Sequence, residues 1–416
     1  MISQNNNVSH SIQLEKAGVT AMTGMPPALP EPSAHIESTP IEFSGAGGEY
    51  FRIWIVNLLL IMVTFGIYYP WAKVRKLKYF YNNTRIDDHA LEFHGEPKKM
   101  LRGTIIAGVL FSMYSLASDF SAIAGLMALV VMIAIAPVLF QASMRFRLAN
   151  SSWRGIRMRF VAQGYREAYT CVALPLALVL LPGILIALLA DGNDEKSRAV
   201  SGNALATTGG AIVLLLAIVL PYFFWRIKRF QHNHYAWGPL KTEYRSPTIE
   251  TYKVFGMTLL VALIIAAGFA AMVFAMWPSN VGSTRSWSRN LGIIFTLFVP
   301  LFFGFVILIN ILPRAYFTAK MQNLLWSRTG NRHFRFKSEL GVGKFIGLQF
   351  KNYFLILITL GLYWPFAVIA TLRMKLEAIS LKSRVALDKL SDAARTRDND
   401  AAGDMAADIF GFDVGM

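Results

Sequence analysis

Eight apolar stretches dominate the pattern along the chain of 416 residues. They cover residues 53–72, 104–117, 121–144, 168–190, 207–225, 255–277, 291–312 and 353–372. Most approach the ~20 residues that a helix needs to cross a bilayer. They are apolar all round rather than amphipathic, which disfavours the buried helices of a soluble protein. The pattern predicts an all-α polytopic membrane protein with about eight hydrophobic segments.

The first and last apolar stretches have nearly the same sequence, TFGIYYPW near the start and TLGLYWPF near the end. Each contains a glycine and a proline, Gly66 with Pro70 and Gly361 with Pro365. Glycine tolerates unusual backbone angles, and proline cannot donate a backbone hydrogen bond. We therefore expect six spans and two interrupted end segments that are broken or re-entrant, with a tilted simple span as the alternative for each end.

Short segments that alternate apolar and polar residues precede the apolar units. They are IEFSG at 41–45, LEFHG at 91–95, IRMRFVAQG at 156–164, LKTEYRSPT at 240–248 and FRFKSELG at 334–341. This alternation is typical of strands. Their central aromatic residues are Phe43, Phe93, Phe160, Tyr244 and Phe336. Because a lone strand leaves its backbone groups bare, we expect all five segments to join in one small sheet under the helices.

The ends of the apolar units also resemble one another. A proline precedes an asparagine by 12 or 13 residues in three units, at Pro70 and Asn82, Pro137 and Asn150, and Pro221 and Asn233. Together with the strand-like segments, this spacing predicts a roughly five-fold internal repeat whose first and last units are shortened, as terminal repeats often are.

The formal net charge of +16 is unevenly distributed. Four loops, 73–103, 144–167, 226–253 and 313–344, contain 27 Lys and Arg residues, whereas the alternating loops 118–120, 191–206 and 278–290 contain 4. Because Lys and Arg are retained on the cytoplasmic side, the basic loops and both tails are expected in the cytoplasm. Topology thus explains the basic excess, and we expect no nucleic-acid partner.

Composition divides the chain into three parts. We expect a disordered polar N-terminal tail at 1–40, a membrane domain with internal repeats at 41–385, and a polar, disordered C-terminal tail at 386–416. The N-terminal tail lacks the basic start and short apolar core of a signal peptide.

No catalytic, cofactor-binding or metal-binding motif is apparent in the sequence. His232 and His234 are two residues apart, but a helix would turn them about 200° away from each other, and no acidic or cysteine ligand is adjacent. Tyr68, Trp71 and Arg75 could place aromatic rings and a positive charge at headgroup depth. The expected partner is the lipid bilayer, against which these residues form an ordinary anchoring belt, and a dedicated site for anionic phospholipid headgroups is the alternative.

The order F-x-G, apolar stretch, TFGIYYPWAKVR, YNNT and LEFHG, with TLGLYWPFAVIATLR near the end, resembles the YjgN-like family of bacterial inner-membrane proteins of unknown function. The resemblance covers about residues 40–385 and implies a multi-pass protein of the inner membrane, without supplying a substrate or a catalytic residue. The family-motif and interface candidates are Gly66, Tyr68, Pro70, Trp71, Arg75, Asn82, Gly361, Tyr363, Pro365 and Arg373.

Three classes of function remain open at the level of sequence. The first is a passive or weakly coupled transporter or channel, which internal repeats and interrupted end segments favour. The second is a structural or interaction protein with a cytoplasmic face that binds lipid or a partner. The third is a membrane-embedded enzyme that acts on a lipid. An ion-coupled pump is disfavoured because no ionisable residue lies in the middle of an apolar stretch.

Overall fold

The computed structural model describes residues 30–32, 35–178, 180, 195–276 and 284–396. The strands are β1 (Glu37–Phe43), β2 (Thr84–Ile86), β3 (His89–Phe93), β4 (Ser151–Trp153), β5 (Ile156–Phe160), β6 (Tyr235–Trp237), β7 (Leu240–Lys241), β8 (Glu243–Tyr244), β9 (Thr329–Gly330), β10 (Phe334–Ser338) and β11 (Ile379–Ser383). The first helices are α1 (Gly47–Val63), α2 (Tyr69–Asn82), α3 (Pro97–Phe120), α4 (Ala122–Ala149) and α5, which comprises Arg166–Ala168, a π-helical segment at Tyr169–Ala173 and residues 174–178. The others are α6 (Glu195–Asn233), α7 (Thr248–Met276), α8 (Thr284–Ser327), α9 (Val342–Ile358), α10 (Trp364–Glu377) and α11 (387–396).

All eleven strands belong to one antiparallel sheet, in the order β7-β6-β5-β4-β3-β2-β1-β11-β10-β9-β8. Its two end strands, β7 and β8, are separated only by Thr242, so one short piece of chain pairs with β6 and then with β9. The sheet is therefore barrel-like. All five strand-like segments lie in it, as expected. The chain is mostly helical, as expected of a polytopic membrane protein, but it is not all-α, because the strands pair into this eleven-stranded sheet beside the helices.

Apolar side chains fill the interior of the barrel. The buried cluster includes Ile41, Ile86, Trp153, Ile156, Trp237, Leu240, Phe334, Ile379, Leu381, Val385, Leu387, Leu390 and Ala394. Its last three members belong to α11, in which Leu390 and Ala394 are fully buried. The sequence-based expectation of a disordered tail from residue 386 is wrong for the described part, 386–396, because these apolar residues pack against the barrel.

The helices above the sheet come in pairs, and each pair begins and ends at strands that pair with each other. The pairs are α1 with α2, α3 with α4, α5 with α6, α7 with α8, and α9 with α10. Neighbouring pairs are in contact through α2 and α3, α4 and α5, α6 and α7, and α8 and α9. Contact between α10 and α1 joins the last pair to the first. The helix pairs thus form a ring on the barrel.

One backbone hydrogen bond occurs at all five places where a helix pair meets the sheet. The donor and acceptor pairs are Ser44 and Asn83, His94 and Asn150, Val161 and His234, Arg245 and Arg328, and Glu339 and Ala378, with N···O distances of 2.8–2.9 Å. The residue that corresponds to Asn150 is Asn83, not the Asn82 chosen from spacing. Both side chains donate to the carbonyl four residues earlier, Asn83 to Tyr79 at 2.8 Å and Asn150 to Phe146 at 2.7 Å.

Five described helices are long and apolar enough to cross a membrane. They are Pro97–Phe120, Ile123–Ala149, Gly209–Asn233, Thr248–Ala275 and Phe298–Ser327. The expected span at 168–190 lies partly outside the described residues.

The two end segments are not continuous helices. In the first, Phe65 and Gly66 have positive φ values of 48° and 91°, and the chain turns back towards the sheet. Leu360 and Gly361 repeat this geometry with φ values of 51° and 95°. The interruption predicted from glycine and proline is therefore present, as a turn between two helices. Phe65 and Leu360 stand at the two tips and are 97% and 93% exposed.

Candidate functional site

A cavity of about 440 Å³ lies between α8, α9 and α10, and we call it the groove. Its polar lining consists of Asn310, Arg314, Thr318, Gln349, Asn352, Thr371 and Lys375. Its apolar and aromatic lining consists of Ile311, Ala315, Phe345, Tyr353, Ile356, Trp364, Ala367, Val368 and Leu372. The groove therefore offers charge and hydrogen-bonding groups beside a wall of apolar side chains.

The polar residues of α9 point at α10. Gln349 and Asn352 are three residues apart and so share one face of the helix. Both side-chain nitrogens donate to the hydroxyl oxygen of Thr371, at 3.4 Å from Gln349 and 3.1 Å from Asn352. Asn352 Nδ2 also lies 3.4 Å from the carbonyl oxygen of Ala367. These contacts fix the Asn352 amide in the wall of the groove.

Asn352 has an unused hydrogen-bonding group. Its side chain is only 2% exposed, and Oδ1 has no protein partner. A buried acceptor without a donor costs about 1–3 kcal/mol, so a native protein rarely leaves one empty without a reason. Asn57 Oδ1 in α1 is buried without a protein partner in the same way.

Two positive charges line the groove without an opposite charge. Arg314 comes from α8 and Lys375 from the sheet-side end of α10. No Asp or Glu is among the lining residues, and neither cation forms an ion pair within the described residues. Lys375 Nζ lies 5.7 Å from the centre of the Phe345 ring, a cation–π contact that holds the ammonium against the wall. The arrangement can therefore receive an anion.

The candidates proposed from the sequence lie elsewhere. Gly66, Tyr68 and Pro70 are at the first turn, and Gly361, Tyr363 and Pro365 are at the last. Trp71 stacks on Tyr68, Arg75 and Asn82 are exposed, and Arg373 donates from Nη2 to the carbonyl oxygen of Gly45 at 2.8 Å. None of these ten residues lines the groove. Their role at a lipid interface remains a prediction.

The turns nevertheless help to build the groove. Thr359 Oγ1 accepts from the Tyr363 backbone N–H at 2.9 Å and donates to the Leu355 carbonyl at 2.7 Å. Thr64 makes the equivalent bonds with Tyr68 and Leu60, at 3.0 and 2.6 Å. These bonds close the turn that returns the chain from α9 into α10, so both helices can contribute residues to one cavity.

The two neighbouring histidines have separate partners. His232 Nδ1 lies 2.8 Å from Thr329 Oγ1, and His234 Nδ1 lies 2.7 Å from the carbonyl oxygen of Phe230. Among the described residues there is no group of three or more His, Cys, Asp or Glu that could hold a metal ion.

Sequence reasoning missed the groove as a site. The available signal was the presence of polar residues in or beside otherwise apolar segments, of which Asn310 and Asn352 are examples. Such residues are commonly hydrogen-bonded between helices, and only the packing of three helices shows that these face a cavity.

Comparison with known proteins identifies relatives. A family model described as "Bacterial protein of unknown function (DUF898)" matches residues 38–409. The chain is similar to inner membrane protein YjgN of Salmonella typhimurium, with 27% identity over 139 residues, which are 33% of this chain and 35% of the relative. It is similar to inner membrane protein YjgN of Escherichia coli K12, with 36% identity over 58 residues, 14% of this chain and 15% of the relative.

The matched regions therefore span about a third or less of the length of these relatives. No solved structure matches the chain. The family model, in contrast, covers most of the chain, and the described helices include five that are apolar and long enough to cross a bilayer. The chain is thus a multi-pass membrane protein that belongs to the DUF898 family of bacterial proteins, the YjgN-like family.

Proposed function

We propose that the protein binds an anionic phospholipid in the groove, on the cytoplasmic side of the bacterial inner membrane. The observation that carries this proposal is that two cations, Arg314 and Lys375, lie beside an apolar wall and form no ion pair within the described residues. Phosphate suits these charges, and acyl chains suit the wall. The names of the relatives, which are inner membrane proteins, support the location.

The proposed orientation places the barrel in the cytoplasm. Support comes from the distribution of 27 Lys and Arg residues over the four loops that contain strands, against 4 in the alternating loops. Five units of strand, helix pair and strand would then stand side by side, and the five equivalent hydrogen bonds at the sheet support this repeat.

The end pairs are proposed to enter the membrane without crossing it. α2 and α10 have 14 residues each, which corresponds to roughly 21 Å of helix. A bilayer core is about 30 Å thick, so neither helix is long enough to span it, and α2 also contains four Lys and Arg residues at 73–78. Phe65 and Leu360 at the exposed tips would lie among the lipid chains of the near leaflet.

This geometry suits lipid recognition because the groove lies beside one of the short end pairs. α9 and α10 form the last pair. Because this pair would end inside the membrane, lipid would contact the side of α8 beyond its tip. A headgroup could then approach Arg314 and Lys375 laterally from the leaflet, while its chains remain beside apolar residues such as Ile356 and Trp364.

A channel or transporter is a weaker candidate. An aqueous path along the barrel would have to pass Trp153 and Trp237, whose ring centres are 4.8 Å apart in the barrel core, and then α11 with its buried Leu390. An enzyme acting on a lipid would need a nucleophile activated by a general base, and the lining of the groove contains no His, Cys, Asp or Glu.

Thermal unfolding in a neutral detergent tests the proposal. Dioctanoyl phosphatidylglycerol should raise the midpoint temperature of unfolding more than dioctanoyl phosphatidylcholine, because its anionic headgroup binds the two cations. A ligand present at a hundred times its Kd stabilises the folded protein by about 2.7 kcal/mol. The double variant Arg314→Gln with Lys375→Gln should lose this difference. The matched double variant Lys320→Gln with Lys351→Gln, which removes two exposed charges on α8 and α9 outside the groove, should keep it.

Two results would reject lipid binding in the groove. One is equal stabilisation by the anionic and the neutral lipid in the unchanged protein. The other is equal stabilisation by soluble glycerol 3-phosphate, which would show that the site recognises a free phosphate compound rather than a lipid.

A further inference from the structure

The positive charge of the groove exceeds what one phosphodiester can neutralise. Arg314 and Lys375 both line the cavity, and no Asp or Glu is among the lining residues. Within the described residues, the Arg314 guanidinium group donates no hydrogen bond, and the Lys375 ammonium group has only its contact with the Phe345 ring. A headgroup with a single negative charge would therefore leave one cation uncompensated and its N–H donors unused.

Arg314 is charged although its counterparts in the other helix pairs are not. The five equivalent hydrogen bonds at the sheet align the helix pairs, and Arg314 lies 14 residues before the acceptor of its own pair, Arg328. The same position in the other pairs is occupied by Tyr69, Ala136, Leu220 and Trp364. The packing of a helix pair therefore does not require a cation at this place. A charge that occurs only in the pair beside the groove indicates a role in the groove itself.

The two cations are attached at different depths. Gln322 Nε2 in α8 donates to the backbone carbonyl oxygen of Lys375 at 2.7 Å, so these two residues lie at a similar level above the sheet. Arg314 precedes Gln322 by eight residues, which corresponds to roughly 12 Å along the helix. α8 and α10 both run towards the sheet, and helical side chains lean towards the N-terminus, so both side chains lean away from the sheet. The difference in depth is therefore kept at the charged ends.

The cations are nevertheless close enough to affect each other. Burial lowers the pKa of the Lys375 ammonium group, and the positive charge of Arg314 lowers it further. The surroundings thus disfavour the charged form of Lys375. A negative charge beside each cation would remove both the repulsion and the cost of burial, because an opposite charge stabilises the charged form.

We propose that the groove selects a lipid with two phosphate groups joined by a short linker, with one phosphate beside Arg314 and the other beside Lys375. Diphosphatidylglycerol has this chemistry. The inference rests on the proposed function of the groove and names its preferred ligand. Guanidinium and ammonium groups each bind phosphate through charge-assisted hydrogen bonds, so two phosphates engage both cations at once. A phosphomonoester lipid has the same total charge, but it places both negative charges on one phosphate at one depth.

The test compares three anionic lipids and phosphatidylcholine, all with octanoyl chains, in thermal unfolding titrations in neutral detergent. Diphosphatidylglycerol has one negative charge on each of two phosphates. Phosphatidic acid has two charges on one phosphate at about pH 8, and phosphatidylglycerol has one charge. We expect diphosphatidylglycerol to bind on the order of ten-fold more tightly than either of the other anionic lipids, which is the effect of one further charge-assisted contact.

Single variants separate the effect of the charges from that of the additional acyl chains of diphosphatidylglycerol. Arg314→Gln and Lys375→Gln each remove one phosphate contact, so each should lose most of the preference over phosphatidylglycerol. Lys320→Gln, which removes an exposed cation of α8 outside the groove, should keep it. A preference that survives in all three variants would come from the additional chains and would overturn the assignment to the two cations.

The outcomes distinguish this inference from the proposed function. Equal affinities for the three anionic lipids, all above phosphatidylcholine, would overturn the two-phosphate inference and leave anionic lipid binding intact. Phosphatidic acid that binds as tightly as diphosphatidylglycerol would do the same. Equal affinities for all four lipids would overturn both. If a variant does not fold, the dilyso form of diphosphatidylglycerol, which has two phosphates but only two chains, decides on the unchanged protein. It should keep the preference over phosphatidylglycerol, and loss of the preference would overturn the inference.

Discussion

The hydroxyl group of Tyr252 in α7 donates a hydrogen bond of 2.7 Å to the carbonyl oxygen of Ile218 in α6. The hydroxyl group of Tyr169 in α5 makes the equivalent bond of 2.9 Å to Ala134 in α4. Each acceptor lies three residues before a proline, Pro221 or Pro137, in the helical turn where that proline cannot donate. A tyrosine at the start of one helix pair therefore bonds to the interrupted turn of the preceding pair.

Removing the Tyr252 hydroxyl group should loosen this junction. We expect Tyr252→Phe to lower the free energy of unfolding by about 1 kcal/mol, because one hydrogen bond between α6 and α7 is lost. Tyr169→Phe should behave alike. Thermal unfolding in detergent measures the effect, with Tyr114→Phe in α3 as the control, expected to stay within about 0.5 kcal/mol. Equal midpoints for all three variants would show that the hydroxyl groups do not stabilise the junctions.

Arg373 joins the last helix pair to the start of the first, through its hydrogen bond to the Gly45 carbonyl. Arg373→Met should keep most of the apolar stem and remove this bond. Because the side chain is about half exposed, we expect a loss near 1 kcal/mol rather than the larger value of a buried charged bond. Lys351→Met, an exposed cation on α9, is the control for charge removal. A loss no greater than that of the control would contradict a role for Arg373 in closing the ring.

The turn at Gly361 requires a positive φ, whereas Gly347 lies in the middle of α9 without one. Neither position has a neighbouring atom within 4 Å of an added Cβ, so backbone conformation alone decides the outcome. Gly361→Ala should destabilise by about 1 kcal/mol. Gly347→Ala should stabilise by about 0.5–1 kcal/mol. Opposite shifts of the unfolding midpoint support the turn, and a stabilising Gly361→Ala would indicate a continuous helix instead.

Leu390 is fully buried where α11 packs against the barrel, and Lys389 beside it is exposed. Leu390→Ala should cost about 2–5 kcal/mol through lost contacts and the cavity left behind. Lys389→Ala should change stability by no more than about 0.5 kcal/mol. Circular dichroism during heating can follow both. Indistinguishable variants would mean that α11 does not stabilise the barrel in solution.

The sequence predicted the local elements of this fold because their signals are local. Alternation around Phe43 and Phe93 predicted strands, and the glycine two residues after each has a structural reason. A Cβ at Gly45 or Gly95 would come within 2.6 Å of the preceding aromatic ring. The glycine and proline pairs predicted the interrupted end segments. Such features depend on residues close together in the chain.

Features that depend on distant residues could not be predicted in this way. Closing the sheet requires β1 to pair with β11, and these two strands are more than three hundred residues apart in the sequence. The C-terminal helix was missed because its buried Leu390 and Ala394 are diluted by many charges. The groove was missed because Arg314, Asn352 and Lys375 lie on three helices, and each residue alone resembles an ordinary interfacial or helix-packing side chain.

Native mass spectrometry of the protein released from detergent micelles tests most directly whether the groove holds an anionic phospholipid. After purification from a membrane that contains both anionic and neutral phospholipids, the unchanged protein should retain one phospholipid mass per chain, with the anionic class enriched. Arg314→Gln with Lys375→Gln should lose it, and Lys320→Gln with Lys351→Gln should keep it. Retention of the same lipid by both double variants, or of no lipid by the unchanged protein, would contradict lipid binding in the groove.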